Sequence, residues 1–220
     1  MNYEEALQND KRNYWQYYWS LLKKKHMIIL TFVSNNDYNV FLLKYSLFVL
    51  SLALYFAINT LFFKDSTMHQ IHIEQGKYNL IYQIPQILYS TLISFVMTSL
   101  LKTLSLSQNE IIKIKKEINK VKAKKLAEKK KNCLKIKLYS FFFIGLSLLL
   151  FFWYYISAFG AVYKNTQIHL IKDTLISFAV SMSYPFLINL IPGIFRFFAL
   201  KSEKHDKNCL FITSQLIALL

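Results

Sequence analysis

Four stretches of the chain carry no charged side chain and stay apolar without interruption. They run from Tyr45 to Phe63, Tyr78 to Leu101, Leu138 to Tyr163 and Thr174 to Phe195, or 19, 24, 26 and 22 residues. A helix needs about 20 such residues to cross a hydrocarbon core about 30 Å thick. Strands of a membrane barrel would alternate apolar and polar positions, and these runs do not. Backbone groups in lipid must be satisfied within the segment, so each run predicts a helix. The pattern predicts an all-α polytopic membrane protein with four transmembrane helices in two hairpins, at about 42–63, 79–102, 137–163 and 173–197. Residues 1–39 then form an N-terminal cytosolic segment, 40–200 the transmembrane domain, and 201–220 a cytosolic tail.

Two polar stretches carry helical signals of their own. Residues 13–33 hold five aromatics in their first seven positions, followed by Lys23, Lys24 and Lys25. Tyr and Trp rings favour the headgroup level, so an interfacial amphipathic helix is expected there. Between spans two and three, Ser107 and Glu110 have capping-box spacing and open a predicted basic helix over 107–132. Ile111, Ile114, Ile118 and Val121 repeat with 3-4-3 spacing along it.

Charge sets the expected threading. From Lys102 to Lys137 there are thirteen lysines and three acids, +10 in 36 residues. The segments 64–77 and 164–173 sum to zero and +1. The positive-inside rule therefore predicts that 102–137 and both termini are cytosolic. No signal peptide is visible: Met1–Arg12 is polar and acidic, and Glu4, Glu5 and Asp10 argue against a transit peptide. The first span is expected to act as its own insertion signal.

Composition agrees. Charged residues make up 18 % and hydrophobic ones 54 %, with mean hydropathy +0.26 and net charge +15. A basic and apolar chain points to a membrane rather than to nucleic acid, and no aromatics interleave the lysines as a nucleic-acid reader requires. Lys23, Lys24, Lys25, Lys122, Lys124, Lys125, Lys129, Lys130 and Lys131 are candidate contacts for anionic lipid headgroups. Segments 107–132 and 13–33 are candidate protein-docking surfaces. Two cysteines exclude a disulfide scaffold; Cys133 and Cys209 are candidate acylation sites.

Chemistry inside the spans is sparse. No nucleophile motif or phosphate-cradling loop is present, and no Asp, Glu or His is expected well inside a span, so no enzyme and no cofactor are predicted. His69 and His72 share a helical turn, but a third metal ligand such as Glu74 would be needed. The polar positions within spans are Asn59, Gln83, Gln86 and Asn189, with hydroxyls at Ser94, Thr98 and Ser99. Pro185 predicts a kink in span four, and Pro192-Gly193 its end. Two functions fit: a non-enzymatic anchor or scaffold subunit, or a channel or carrier subunit with Asn59, Gln83, Gln86, Asn189 and the Pro185 kink near its path. A pore requires these groups to converge on a cavity, whereas a scaffold lets them pair between helices.

Several runs are specific: Tyr3-Glu4-Glu5-Ala6-Leu7, Asp10-Lys11-Arg12, Asp37-Tyr38-Asn39, Ile81-Tyr82-Gln83-Ile84-Pro85-Gln86-Ile87, Phe152-Trp153-Tyr154-Tyr155, Ala161-Val162-Tyr163-Lys164-Asn165-Thr166-Gln167 and Ile191-Pro192-Gly193-Ile194-Phe195-Arg196. Over about residues 1–200 they resemble the C-terminal multipass membrane module of a large uncharacterised family of ciliate transmembrane proteins. Ser157-Ala158-Phe159-Gly160 stands where that family usually has a Cys-rich Ser-Cys-Phe-Cys. The resemblance implies a membrane module, either the anchor half of something larger or a duplicate that lost its ectodomain, and carries no site residue with it.

Overall fold

In the computed structural model, Tyr3 and residues 10–33, 37–201 and 207–218 are described. The helices are α1 (Tyr14–Lys25), α2 (Phe41–Phe62), α3 (Asp65–Ile73), α4 (Leu80–Ser105), α5 (Gln108–Lys115), α6 (Lys120–Val162), α7 (Gln167–Ile188), α8 (Leu190–Lys201) and α9 (Lys207–Ile217). A π-helical turn, Ile29–Val33, follows α1, and a 3-10 turn, Lys164–Thr166, precedes α7. No strand occurs among the described residues. The described residues are all-helical, and four helical segments among them are long and apolar enough to cross a membrane. The chain divides into two compact units, one of residues 36–181 and one of residues 1–35 with 182–220.

The larger unit is built around α2. Leu43, Leu47, Leu50, Leu54 and Ile58 recur at three- and four-residue spacing and are all buried. Half of the apolar α2 window is inside the protein, against 17 % for α6. That difference makes α2 the centre of the unit and leaves α6 with one narrow inward stripe, Phe141, Gly145, Phe152 and Phe159. A side chain at Gly145 would come within 3.3 Å of Leu50, so the missing Cβ lets the two helices meet closely. The rest of α6 is open, with Phe143, Trp153 and Tyr154 each 75 % exposed. So many large apolar side chains left uncovered on one helix fit a lipid surface, not water.

The basic connection departs from expectation. The single helix expected over 107–132 is two helices, α5 and the start of α6, separated at residues 116–119. Ser107 makes no side-chain cap bond. Asn39 takes that role from outside, its Oδ1 accepting from the N–H groups of Ser107 and Gln108 at 3.0 and 3.1 Å. Glu110 reaches instead to Lys130, at 2.7 Å. Asn119 ends the gap by accepting from the backbone of Val121 and Lys122, a cap that opens α6. From there one helix of 43 residues runs through the basic stretch into the apolar one. The expected Ile111–Val121 seam is lost, because Ile118 falls in the gap and is 97 % exposed.

In the smaller unit, the expected single helix over 13–33 stops at Lys25, with His26 as its extended cap. Gln16 Oε1 accepts from the Asn13 N–H, closing a box at the start of α1. Lys23, Lys24 and Lys25 occupy its last turn, where positive charge complements the unpaired carbonyls. The aromatics split by face. Tyr14 and Tyr18 donate to the carbonyls of Leu190 and Phe186, while Trp15 and Trp19 stay exposed. Gly193 makes this contact feasible: a Cβ there would lie 2.7 Å from the Tyr14 ring. The C-terminal α9 packs on α8 through Phe211 and Ala199, with Tyr3 against Phe211.

Span four also differs. Helix α7 continues through Pro185 and stops at Ile188, and the break lies at Asn189. The Pro185 carbonyl accepts from both the Asn189 backbone (3.2 Å) and its side chain (2.7 Å), which closes the helix end. Pro192-Gly193 does not end the span. Pro192 stands at the third position of α8, where a helix needs no backbone donor.

Candidate functional site

Within the larger unit, α4 presents Gln83, Gln86, Ser90 and Ser94 at three- and four-residue spacing, and all four are buried. Helix α7 presents Asp173, Ser177 and Ser181 at intervals of four, also buried. These two stripes meet Asn59 of α2. The Asn59 Oδ1 accepts from Ser90 at 2.9 Å and from Ser177 at 3.2 Å, and its Nδ2 donates to the Tyr55 carbonyl at 2.8 Å. The Ser90 and Ser177 hydroxyls are themselves 3.2 Å apart.

Asp173 is the second focus. It is fully buried and accepts from the Tyr78 hydroxyl at 2.7 Å and from Gln86 Nε2 at 3.2 Å. The Gln83 amide, with its nitrogen turned to the carboxyl group, donates to both oxygens. Asp173 had marked only the outer edge of span four; it lies instead in the second turn of α7, with His169 buried one turn before it. Both lie in the first two turns of α7, at the end of the long apolar segment. Tyr78, which precedes α4, is held as a donor: burial first, and Asp173 next, push its pKa up. Lys172 lies over the Tyr78 ring, 5.0 Å from its centre.

Three of the predicted polar residues are thus paired in two hydrogen-bonded groups of this network, Asn59 with Ser90 and Ser177, and Gln83 and Gln86 with Asp173. Asn189 and Pro185 do not join them; they sit in the smaller unit, where Asn189 is bonded back to its own helix. Ser99 is exposed, while Ser94 is buried and Thr98 partly so. Most atoms of the network are paired. Gln86 Oε1 and the hydroxyls of Ser94 and Thr174 have no partner among the described residues.

A cavity of about 540 Å³ lies away from this network, at the basic end of the same unit. Val40 and Leu43 of the α2 entry, Leu104 of α4 and Ile111 of α5 form its walls, and one face of α6 closes it. That face grades from Lys131 and Lys135 to Leu138. Of the lysines predicted to meet headgroups, Lys23, Lys24, Lys122, Lys124, Lys125, Lys129 and Lys131 are exposed and Lys25 is half-buried. Lys130 is engaged by Glu110. Cys133 and Cys209 are free and exposed. No group of three or more His, Cys, Asp or Glu able to hold a metal occurs among the described residues.

The smaller unit has a charged centre that the sequence reading passed over. Arg196 and Asp10 are 2.8 Å apart, with side chains only 4 % and 6 % exposed. The guanidinium also donates to the Asp10 and Arg12 carbonyls and lies over the Tyr17 ring, 4.5 Å from its centre. Hydrogen bonding from Arg12, with Arg196 adding its charge, holds the Asp10 carboxyl at a pKa of about 2.

Comparison with protein-family models, with curated proteins and with solved structures found no match to this chain.

Proposed function

We propose that this chain is a non-enzymatic anchor or scaffold subunit of a membrane assembly, with its four long helices arranged as two hairpins. The observation that carries this reading is the pairing of Asn59, Gln83 and Gln86 with groups on neighbouring helices. Interhelical bonds of this kind join helices in lipid, where apolar packing supplies no hydrophobic drive. The charge distribution supports a cytosolic basic end and cytosolic termini, with anionic headgroups as neighbours of the exposed lysines. The resemblance to a ciliate-type membrane module accords with an anchoring role.

A channel or carrier subunit is the second reading. The unpartnered buried oxygens of Gln86, Ser94 and Thr174 favour it, since a polar path needs groups not already satisfied. Asn59→Leu separates the two. The scaffold reading expects a loss of about 1–2 kcal/mol in unfolding free energy, from the two interhelical bonds, with unchanged proton and potassium leak in proteoliposomes. A change in either leak at unchanged insertion would establish the carrier reading in its place.

A further inference from the structure

The cavity at the basic end has a polarity gradient along α6. Its α6 wall starts at Ala127 and Glu128, passes Lys131 and Lys135, and ends at Leu138, where the charge-free run begins. Lys131 and Lys135 are one helical turn apart and project on one side. Neighbouring lysines are committed: Lys130 to Glu110, Lys115 to the Tyr38 hydroxyl and Lys137 to the Leu106 carbonyl. Lys131 and Lys135 make no ion pair among the described residues. With Glu128 beside them, the mouth carries two positive charges against one negative.

We infer that this cavity binds one anionic phospholipid, its phosphate between Lys131 and Lys135 and part of an acyl chain against Leu43, Leu104, Leu134 and Leu138. The inference rests on the membrane-embedded reading of the chain but not on its scaffold role. Three features point to this occupant. The volume, about 540 Å³, is that of a small-molecule site. The basic mouth stands where the apolar run of α6 begins, which is the headgroup level of a spanning helix. Basic pockets between spanning helices on the positive side are suited to anionic headgroups.

The test uses the full chain in nanodiscs of phosphatidylcholine containing a minor fraction of phosphatidylglycerol, with bound lipid counted by native mass spectrometry. One phosphatidylglycerol per chain is expected to be retained. Lys131→Gln with Lys135→Gln is expected to weaken retention about twenty-five-fold, taking about fivefold for each lysine. Ala127→Phe, which fills the cavity at constant charge, is expected to displace the lipid as well. Lys64→Gln with Lys77→Gln removes the same charge from exposed positions outside the cavity and is expected to change retention less than twofold. Circular dichroism checks that each variant is folded. Equal retention of both lipids overturns the site, as does equal loss in the two lysine pairs. A cavity filled by a second copy of the chain, seen as a crosslinked dimer through Ala127→Cys, also overturns it. Failure of the chain to enter bilayers would instead refute the membrane reading.

Discussion

Asp173→Ala is expected to destabilise the folded chain by about 2–4 kcal/mol. Removing the carboxyl group leaves the Tyr78 hydroxyl and the Gln83 and Gln86 amides without their common acceptor. Each buried donor so stranded costs about 1–3 kcal/mol, less whatever the side chains recover by turning to one another. Asp173→Asn keeps the volume and one acceptor oxygen but faces the three donors with an amide nitrogen, so an intermediate loss is expected. Tyr78→Phe removes one bond and is expected to cost about 1 kcal/mol. The measurement is unfolding in mixed micelles by denaturing detergent, read by tryptophan fluorescence. A loss below about 0.5 kcal/mol for Asp173→Ala would mean that these bonds contribute nothing to holding α7 against α4.

Arg196→Leu is expected to cost about 2–3 kcal/mol in the smaller unit, less than a fully stripped buried pair because Arg12 still holds Asp10. The change leaves Asp10 with only the half-exposed Arg12, frees two backbone carbonyls and removes the nearer of two guanidinium groups over the Tyr17 ring. Arg196→Lys retains the charge but not the planar fork, so a smaller loss is expected. Hydrogen bonding from Arg12, with the Arg196 charge behind it, also sets a pH response. Asp10 titrates near 2 in the folded chain, below its ordinary 3.8. Its stabilising contribution is complete above 3.8 and disappears as the pH falls through 2. A fall in stability between these values that is absent in Asp10→Asn is the expected result. Identical acid profiles for the two proteins would show that neither Arg12 nor Arg196 holds the Asp10 carboxylate.

The four long apolar helices were legible because a charge-free run of that length has few alternatives. Their ends were less so. Ser107 and Glu110 have the spacing of a cap, but Asn39, 68 residues away from Ser107, supplies it, and no local pattern reports such a partner. Pro192-Gly193 looked like a stop; its meaning reversed because Asn189 had already closed the preceding helix. Asn59, Gln83 and Gln86 were visible as polar residues in apolar runs. Asp173 was missed because a charged residue was used to define the boundary of a span. The four-residue repeat Asp173, Ser177, Ser181, facing Gln83, Gln86, Ser90, Ser94, was the signal that would have placed it inside. Arg196 was discounted for the same reason, as the end of a run rather than as one half of a pair.

The uninterrupted course of α6 has a mechanical consequence. At 1.5 Å per residue its 43 residues extend about 65 Å, roughly twice the thickness of a hydrocarbon core. The 18 residues from Lys120 to Lys137 therefore form a stiff arm about 27 Å long, welded to its apolar stem without a hinge. Any lean of the stem is amplified at the tip: a change of about ten degrees displaces Lys120 by about 5 Å. Stretching or thinning the surrounding bilayer, which alters how far a stem leans, would thus be converted into lateral travel of a positively charged pointer.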